Sequence, residues 1–422
     1  MNDPVVVTGM GAVTALGRSL EETWEALLAG KQAIRRIRRF DPGGFPTQHA
    51  AELVHDGADS ADRQNRIATL QASILSVASH AAWRSARLDG AHLDPDEIGF
   101  FAGLGAAGYN VDDLLPTVSE ARRPDGAIDY RSFFLDSYRK IRPLWLLTQL
   151  NNIALCQAAI SLNIRGENAA LSQYADAGAH AIEDGFYALQ EGRVRLALAG
   201  GVSEAITPVS LARSLLANVL STTSGGVCRP FSHDRSGTLL GEGGALLALE
   251  RRSSATERNA PSLALLKGIG ATCEVDGQGP SPTPVAIRKA MEHALSSAGI
   301  EPEAVDLIIA NGDGSIDGDR NEMAAIETLF GGHLDSVRVL SVKGSVGHLL
   351  AGAPALDVAL AVQMLQQGVI PGMTSDIGPD PASSLRFVIG QPVRQSLRHI
   401  LVNAHGFSGQ CVSMVLTNES EG

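Results

Sequence analysis

Hydrophobic residues along the chain fall into two alternating patterns. Short apolar runs that end in glycine occur in "PVVVTGMGAVTALG" near residue 4, "IGFFAGLGAAG" near 98, "RLALAGGVSEA" from Arg195, "LALLKGIGATCEV" near 263 and "VDLIIANGDGS" near 305. Such runs are the mark of buried strands. Between them lie alanine-rich segments with apolar residues three and four apart. In one of these Ala179, Ile182, Phe186 and Leu189 share a face and Glu183 and Asp184 fall between them, which predicts an amphipathic helix from Asp176 onward and a buried parallel strand after it. "GALLALE" and "VSMVLTN" read as closing strands.

The order of these elements repeats. Each half has a strand into glycines, an alanine-rich helix, a second strand into glycine and a closing strand. The polar stretch "ERRSSATERNAPS", residues 250–262, separates the two copies. The repeat predicts an N-terminal half, 1–250, and a C-terminal half, 263–418, both doubly wound α/β, with sheets that pack through shared helices.

With 422 residues, 44% of them hydrophobic, the chain can bury two such cores. A formal charge of −12 excludes nucleic acid as the main partner, because a phosphate-binding surface needs a positive field. The one basic cluster, "RRIRRF" from Arg35 to Phe40, suits either an acidic protein partner or a solvated loop. No apolar run is long enough to span a bilayer and the N-terminus lacks a signal-like pattern, so a cytoplasmic protein away from membranes is expected. Cys156, Cys228, Cys273 and Cys411 have no paired spacing, so neither disulfides nor a metal site is expected, and each reads as a small buried hydrophobe. "GMGAVTALG" is not a dinucleotide fingerprint and "GGVCRPFSHDRSG" is not a phosphate loop, so no cofactor is expected.

The turn into the helix at Asp176 is the natural place for a reactive side chain, since free N–H groups and the helix dipole stabilise negative charge there. It offers Tyr174, Ala175 and Asp176, none of which is a usable thiol or activated hydroxyl.

The ordered set "VVVTGMGAVTALG", "EETWEALLAGKQAI", "CRPFSHDRSGTLLGEGGALLALE", "SVKGSVGHLLAGA" and "NAHGFSG" resembles the β-ketoacyl synthases of the thiolase-like superfamily from residue 5 to residue 417. The resemblance implies a five-layered αβαβα fold of two duplicated halves, a dimer, and condensation of acyl chains held on an acyl carrier protein. That family uses a cysteine in Ala-Cys-Ala-x-Gly, a histidine in Asn-Ala-His-Gly-Thr, and the lysine and histidine of Lys-x-x-x-Gly-His. Gly178 as the glycine of the first motif puts Ala175 in the cysteine's place, and "NGDGS" puts Asp313 in the first histidine's place. Lys343 and His348 are retained, as are Asp319, Glu322 and, in the gating glycine-phenylalanine segment, Phe407.

A methyl group cannot carry a thioester, and a carboxylate at Asp313 opposes a developing enolate. The resemblance therefore narrows to the chain-length factors of type II polyketide synthases, which pair with an active ketosynthase subunit as a heterodimer and shape the tunnel for the chain on the acyl carrier protein. Chain-length factors of aromatic systems typically carry glutamine at the nucleophile position, followed by Ala-Gly-Gly. Here Ala175 is followed by Asp-Ala-Gly and Gln173 lies two positions early, which favours a reducing, polyene-forming system over an aromatic one. Tyr109, Phe133, Phe134 and Trp145 are candidates for the tunnel floor, each with plain core or interface packing as its alternative role. Two other readings stay open: a residual malonyl decarboxylase or acyltransferase using Lys343 and His348, and an acyl-binding homodimer without a ketosynthase partner.

Overall fold

The run Val5–Thr14 is buried at every position and forms strand β1, as a strand covered on both faces must. The computed structural model describes residues 3–53, 69–106, 113–141, 144–172, 174–223, 225–274, 281–374 and 378–419. In the N-terminal half β1 is joined by β2 (Ile98–Leu104), β3 (Asn168–Leu171), β4 (Leu196–Ser203) and β5 (Gly243–Arg251). The C-terminal half supplies β6 (Ala264–Cys273), β7 (Leu307–Ile309), β8 (Arg338–Leu340), β9 (His399–His405) and β10 (Gln410–Thr417).

The hydrogen-bonded order repeats across the two halves. It runs β1-β5-β4-β2-β3 in one and β6-β10-β9-β7-β8 in the other, with Arg386–Phe387 beyond β8. The equivalence extends to direction: β1 with β5 and β6 with β10 are antiparallel, whereas β4 with β2 and β9 with β7 are parallel. The halves meet where β1 pairs with β6, Val5 to Val7 facing Leu266 to Ala264.

Helices complete the layers. Outside the first sheet lie α1 (Leu70–Ser85) and α2 (Asn151–Ser161), and outside the second lies α4 (Pro284–Ala298) with α5 (Ile316–Phe330) against it. Between the sheets are α3 (Ala177–Gln190) and α6 (Ala353–Gln367), which pack on each other, and α6 touches both β5 and β9. Helix α6 is apolar almost all round, "APALDVALAVQMLQQ", as its place in the middle layer requires. This is the thiolase-like αβαβα arrangement.

Two expectations need correction. The strand after α3 is parallel to β2 on one side only, because its other neighbour is the antiparallel closing strand β5. The polar stretch after residue 250 is not plain linker: β5 continues to Arg251 and a one-and-a-half-turn helix spans Arg252–Glu257.

Candidate active site

Helix α3 starts at Ala177, and the turn before it is strained. Tyr174 has φ of 92°, a backbone state that a bulky side chain rarely adopts. It is held by its ring, 5.8 Å from that of Phe407, and by its hydroxyl, 3.4 Å from that of Ser214. Ala175 is buried and packs with Leu350, Tyr174 and Phe407. One turn on, Gly178 faces the Ala351 carbonyl, where a Cβ would collide with backbone. The turn thus places a buried methyl group just before the first residue of α3.

Asp176 caps α3 without a capping hydrogen bond, and its side chain is fully buried. Its Oδ2 stands 3.2 Å from Nε2 of His180, while His180 Nδ1 lies 2.8 Å from Glu183. Beyond this contact with His180, neither carboxylate oxygen of Asp176 has a hydrogen-bond partner among the described residues. Asp176 first and Glu183 second raise the His180 pKa to about 9, and the imidazolium persists at neutral pH.

The ends of β7 and β9 bring the remaining polar groups together. Glu322 accepts from the Asn311 and Gly312 amides at 2.9 and 2.8 Å and from Asn403 Nδ2 at 3.1 Å. Asp319 accepts from Gly314 and Phe231 amides at 3.1 and 2.6 Å; burial first, then the charge of Asp313, pushes its carboxyl well above the usual range. Asp313 itself is buried and turns Oδ1 onto the Ser315 amide at 2.7 Å, beside the N-cap of α5. That is the local turn bond expected of an aspartate in a glycine-flanked loop.

His405 is the residue that the sequence motifs did not single out. It ends β9, its amide donates to Asn311 Oδ1 at 3.2 Å, and its Nε2 lies 3.9 Å from Glu322 Oε1. Burial lowers its pKa, against the opposing pull of Glu322 and Asp313, so the ring is neutral at pH 7. The only sequence signal was a histidine inside "NAHGFSG", a motif noted for its glycines and phenylalanine.

Lys343 and His348 complete the cluster. Lys343 Nζ pairs with Asp357 Oδ2 at 3.2 Å, both side chains buried. His348 Nδ1 accepts from the Leu350 amide at 3.1 Å, which puts the ring proton on Nε2. Burial, then the charge of Lys343, holds its pKa well below the ordinary value. Its ring is 5.5 Å from that of Phe407, which therefore contacts the rings of both Tyr174 and His348.

Of the other tunnel candidates, Tyr109 lies outside the described residues. Phe133 and Phe134 stack edge to face at 5.1 Å on the short helix Tyr130–Leu135, with Phe134 67% exposed. Trp145 begins the short helix Trp145–Thr148, which packs on α2. These three line no part of the Ala175 cluster. The cysteine expectation holds for two: Cys228 and Cys411 are buried, and burial pushes the Cys228 thiol up to about 12, but Cys156 and Cys273 are exposed. In the basic cluster Arg35 and Arg36 are exposed, whereas Arg39 makes a two-pronged ion pair with buried Glu242. The last arginine is therefore structural rather than free for a partner. No helix is long and apolar enough to cross a membrane, and no metal-holding group occurs, among the described residues.

The cluster can donate hydrogen bonds from a neutral imidazole and offer carboxylates, but it holds no thiol beside the α3 N-terminus. A malonyl carboxylate brought here would meet the buried carboxylate of Asp313 as well as the Lys343 ammonium.

Comparison with known proteins agrees with this architecture. Residues 2–255 match the N-terminal domain of the β-ketoacyl synthases and residues 263–375 match their C-terminal domain. The chain is 30% identical over 416 residues to 3-oxoacyl-(acyl-carrier-protein) synthase 2 of Synechocystis, covering 97% of each protein. It is 29% identical to the enzyme of the same name from Coxiella burnetii, with 98% of each covered. Among solved structures, the ishigamide ketosynthase/chain length factor superposes with a TM-score of 0.84 at 26% identity, over 99% of this chain and all of that one. A type II polyketide ketosynthase in complex with its acyl carrier protein and bound to the hexaketide gives 0.86 at 21% identity over the same shares, a likeness of fold.

Proposed function

The chain belongs to the β-ketoacyl synthase family, and from that premise we propose that it is a chain-length factor: a subunit that does not condense, pairs with an active ketosynthase and shapes the space for a polyketide chain on an acyl carrier protein. The observation that carries this reading is the buried methyl of Ala175 at the entrance to α3, where a condensing enzyme needs a thiolate. Asp313 in the first histidine's place supports it, since a buried carboxylate opposes the enolate formed on decarboxylation.

Pairing is supported by the free side of the molecule. Strand β3 is one edge of the sheet, hydrogen-bonded among the described residues only to β2, with Asn168 and Ala170 exposed. Beside it α2 exposes Ile160 at 74%, and the segment leading into α2 exposes Leu146 and Leu150. An uncovered edge strand flanked by large apolar side chains calls for a partner sheet. The ishigamide ketosynthase/chain length factor among the related structures supports the heterodimer, and Ala175 followed by Asp176, Ala177 and Gly178 supports a reducing, polyene-forming system.

The test is co-purification with candidate ketosynthases, then loading with malonyl carrier protein and intact mass of both chains. A stable one-to-one complex in which only the partner gains acyl mass is expected. A stoichiometric acyl adduct on Cys156, Cys228, Cys273 or Cys411 of this chain would overturn the reading.

A further inference from the structure

Glu204 follows β4 and lines a cavity with Thr69, Gln71, Thr148, Leu150 and Asn151, where the N-terminus of α1 meets the segment leading into α2. Three side chains bring oxygens there that lack a donor. Gln71 is 4% exposed and its Oε1 has no hydrogen-bond partner among the described residues, and the buried Oδ1 of Asn151 has none either. Among the described residues the half-buried Glu204 carboxylate accepts only from the Gln71 amide, at 3.3 Å. The buried Ser203 hydroxyl, close to Gly105 as Gln71 Oε1 is, makes no hydrogen bond, so it does not supply the missing donor.

Charge is unbalanced as well. The cation that acts on Glu204 is Arg39, but its guanidinium forms a two-pronged pair with Glu242 at 2.5 and 2.8 Å. Two carboxylates thus share one arginine, and burial first, then the charge of Glu242, raises the Glu204 pKa. The cavity measures about 10 Å³, room for one water-sized group. A compact ammonium fits that space and carries three N–H donors, one for each acceptor, whereas a guanidinium is planar and broader.

The cavity adjoins the surface that a partner would cover. Leu150 lines it and is itself exposed, as are Leu146 and, on α2 beside edge strand β3, Ile160. A subunit that covered this face without bringing a positive donor would seal a carboxylate and two amide oxygens away from water, unpaired. We propose that the cavity is the polar anchor of the heterodimer: a lysine ammonium of the ketosynthase partner enters it and donates to Gln71 Oε1, Asn151 Oδ1 and Glu204. The apolar rim supplies contact area, and the charge-matched insertion fixes the register of the two subunits. The inference rests on the pairing proposed above.

The experiment uses the full chain with each candidate ketosynthase. It reads the dissociation constant of the complex and, at saturating concentration, the reactivity of the ketosynthase lysines toward acetic anhydride by mass spectrometry. One ketosynthase lysine should be shielded in the native complex and regain reactivity in the complex with E204Q. That variant keeps the shape and removes the charge, so it should weaken pairing about 30-fold, the scale of a broken buried charge pair, at an unchanged melting temperature of the lone chain. Q71M removes one acceptor at similar volume and should weaken pairing about 10-fold; it decides the matter should E204Q fold poorly. Complexes as tight with both variants as with the native chain, or no shielded lysine that E204Q releases, overturn the anchor and leave the pairing standing. Absence of any complex with the native chain overturns the pairing and the anchor together, so the two failures are told apart.

Discussion

Ala175 and Asp176 are neighbours with opposite consequences for a thiol. The α3 N-terminus would stabilise a thiolate at 175, yet the next residue puts a buried carboxylate into the same turn and Asp313 adds a second nearby. A175C should therefore carry a thiol with a pKa above the ordinary value of about 8.5. The pH profile of iodoacetamide labelling checks this: a midpoint below 8 would show that the helix outweighs the carboxylates. The same variant should not condense acyl chains on its own.

At the same scale, His180 makes stability depend on pH. Its pKa is raised to about 9 from 6.5, so its contribution is complete below pH 6.5 and is lost as pH rises through 9. Relative to H180Q, the native chain should lose melting temperature between pH 7 and pH 10. A constant difference across that range would mean that the Asp176–His180 pair does not stabilise the fold.

Among the elements, the short helix Tyr130–Leu135 has no buried residue and turns Phe134 to solvent. Cutting Phe134 to alanine should cost the isolated chain less than about 0.5 kcal/mol, unlike the 3–5 kcal/mol typical of a core aromatic. If this helix meets the partner, F134A should lower complex yield or change product length despite that small cost, read by denaturant melts alongside product mass spectrometry. The elements themselves were legible in the sequence to different degrees. Runs such as Val5–Thr14 and Gly243–Arg251 are apolar enough to declare buried strands, and the α3 stripe declares its helix. The direction of β5 beside β4 depends on a pairing 40 to 54 residues away, which local patterns do not encode. In the site, Ala175 and Asp313 stood out because motifs framed them. His405 did not, and Asp176 was legible only as a residue of the helix-entry turn, since their surroundings depend on which strand ends and turns face each other in space.

For the whole molecule, the exposed edge β3 with Ile160, Leu146 and Leu150 is a surface that a partner would cover. I160K and L146K should leave the melting temperature of the lone chain within about 2 °C, because neither side chain is buried. Together they should abolish co-purification with the ketosynthase, since charge at the centre of an interface is poorly tolerated. A double variant that still pairs would place the interface elsewhere.

The middle layer also fixes the order in which the molecule can be completed during synthesis. Helix α3 packs against α6, yet α6 lies about 160 residues later in the chain. At 5–20 residues per second, roughly 10–30 s pass between emergence of one and emergence of the other from the ribosome. Through that interval the buried face of α3, including Ala181, Ile182 and Leu189, lacks the helix that later covers part of it. The nascent N-terminal half should therefore bind chaperones, and a chain truncated before residue 353 should accumulate in the insoluble fraction even though its first sheet is complete.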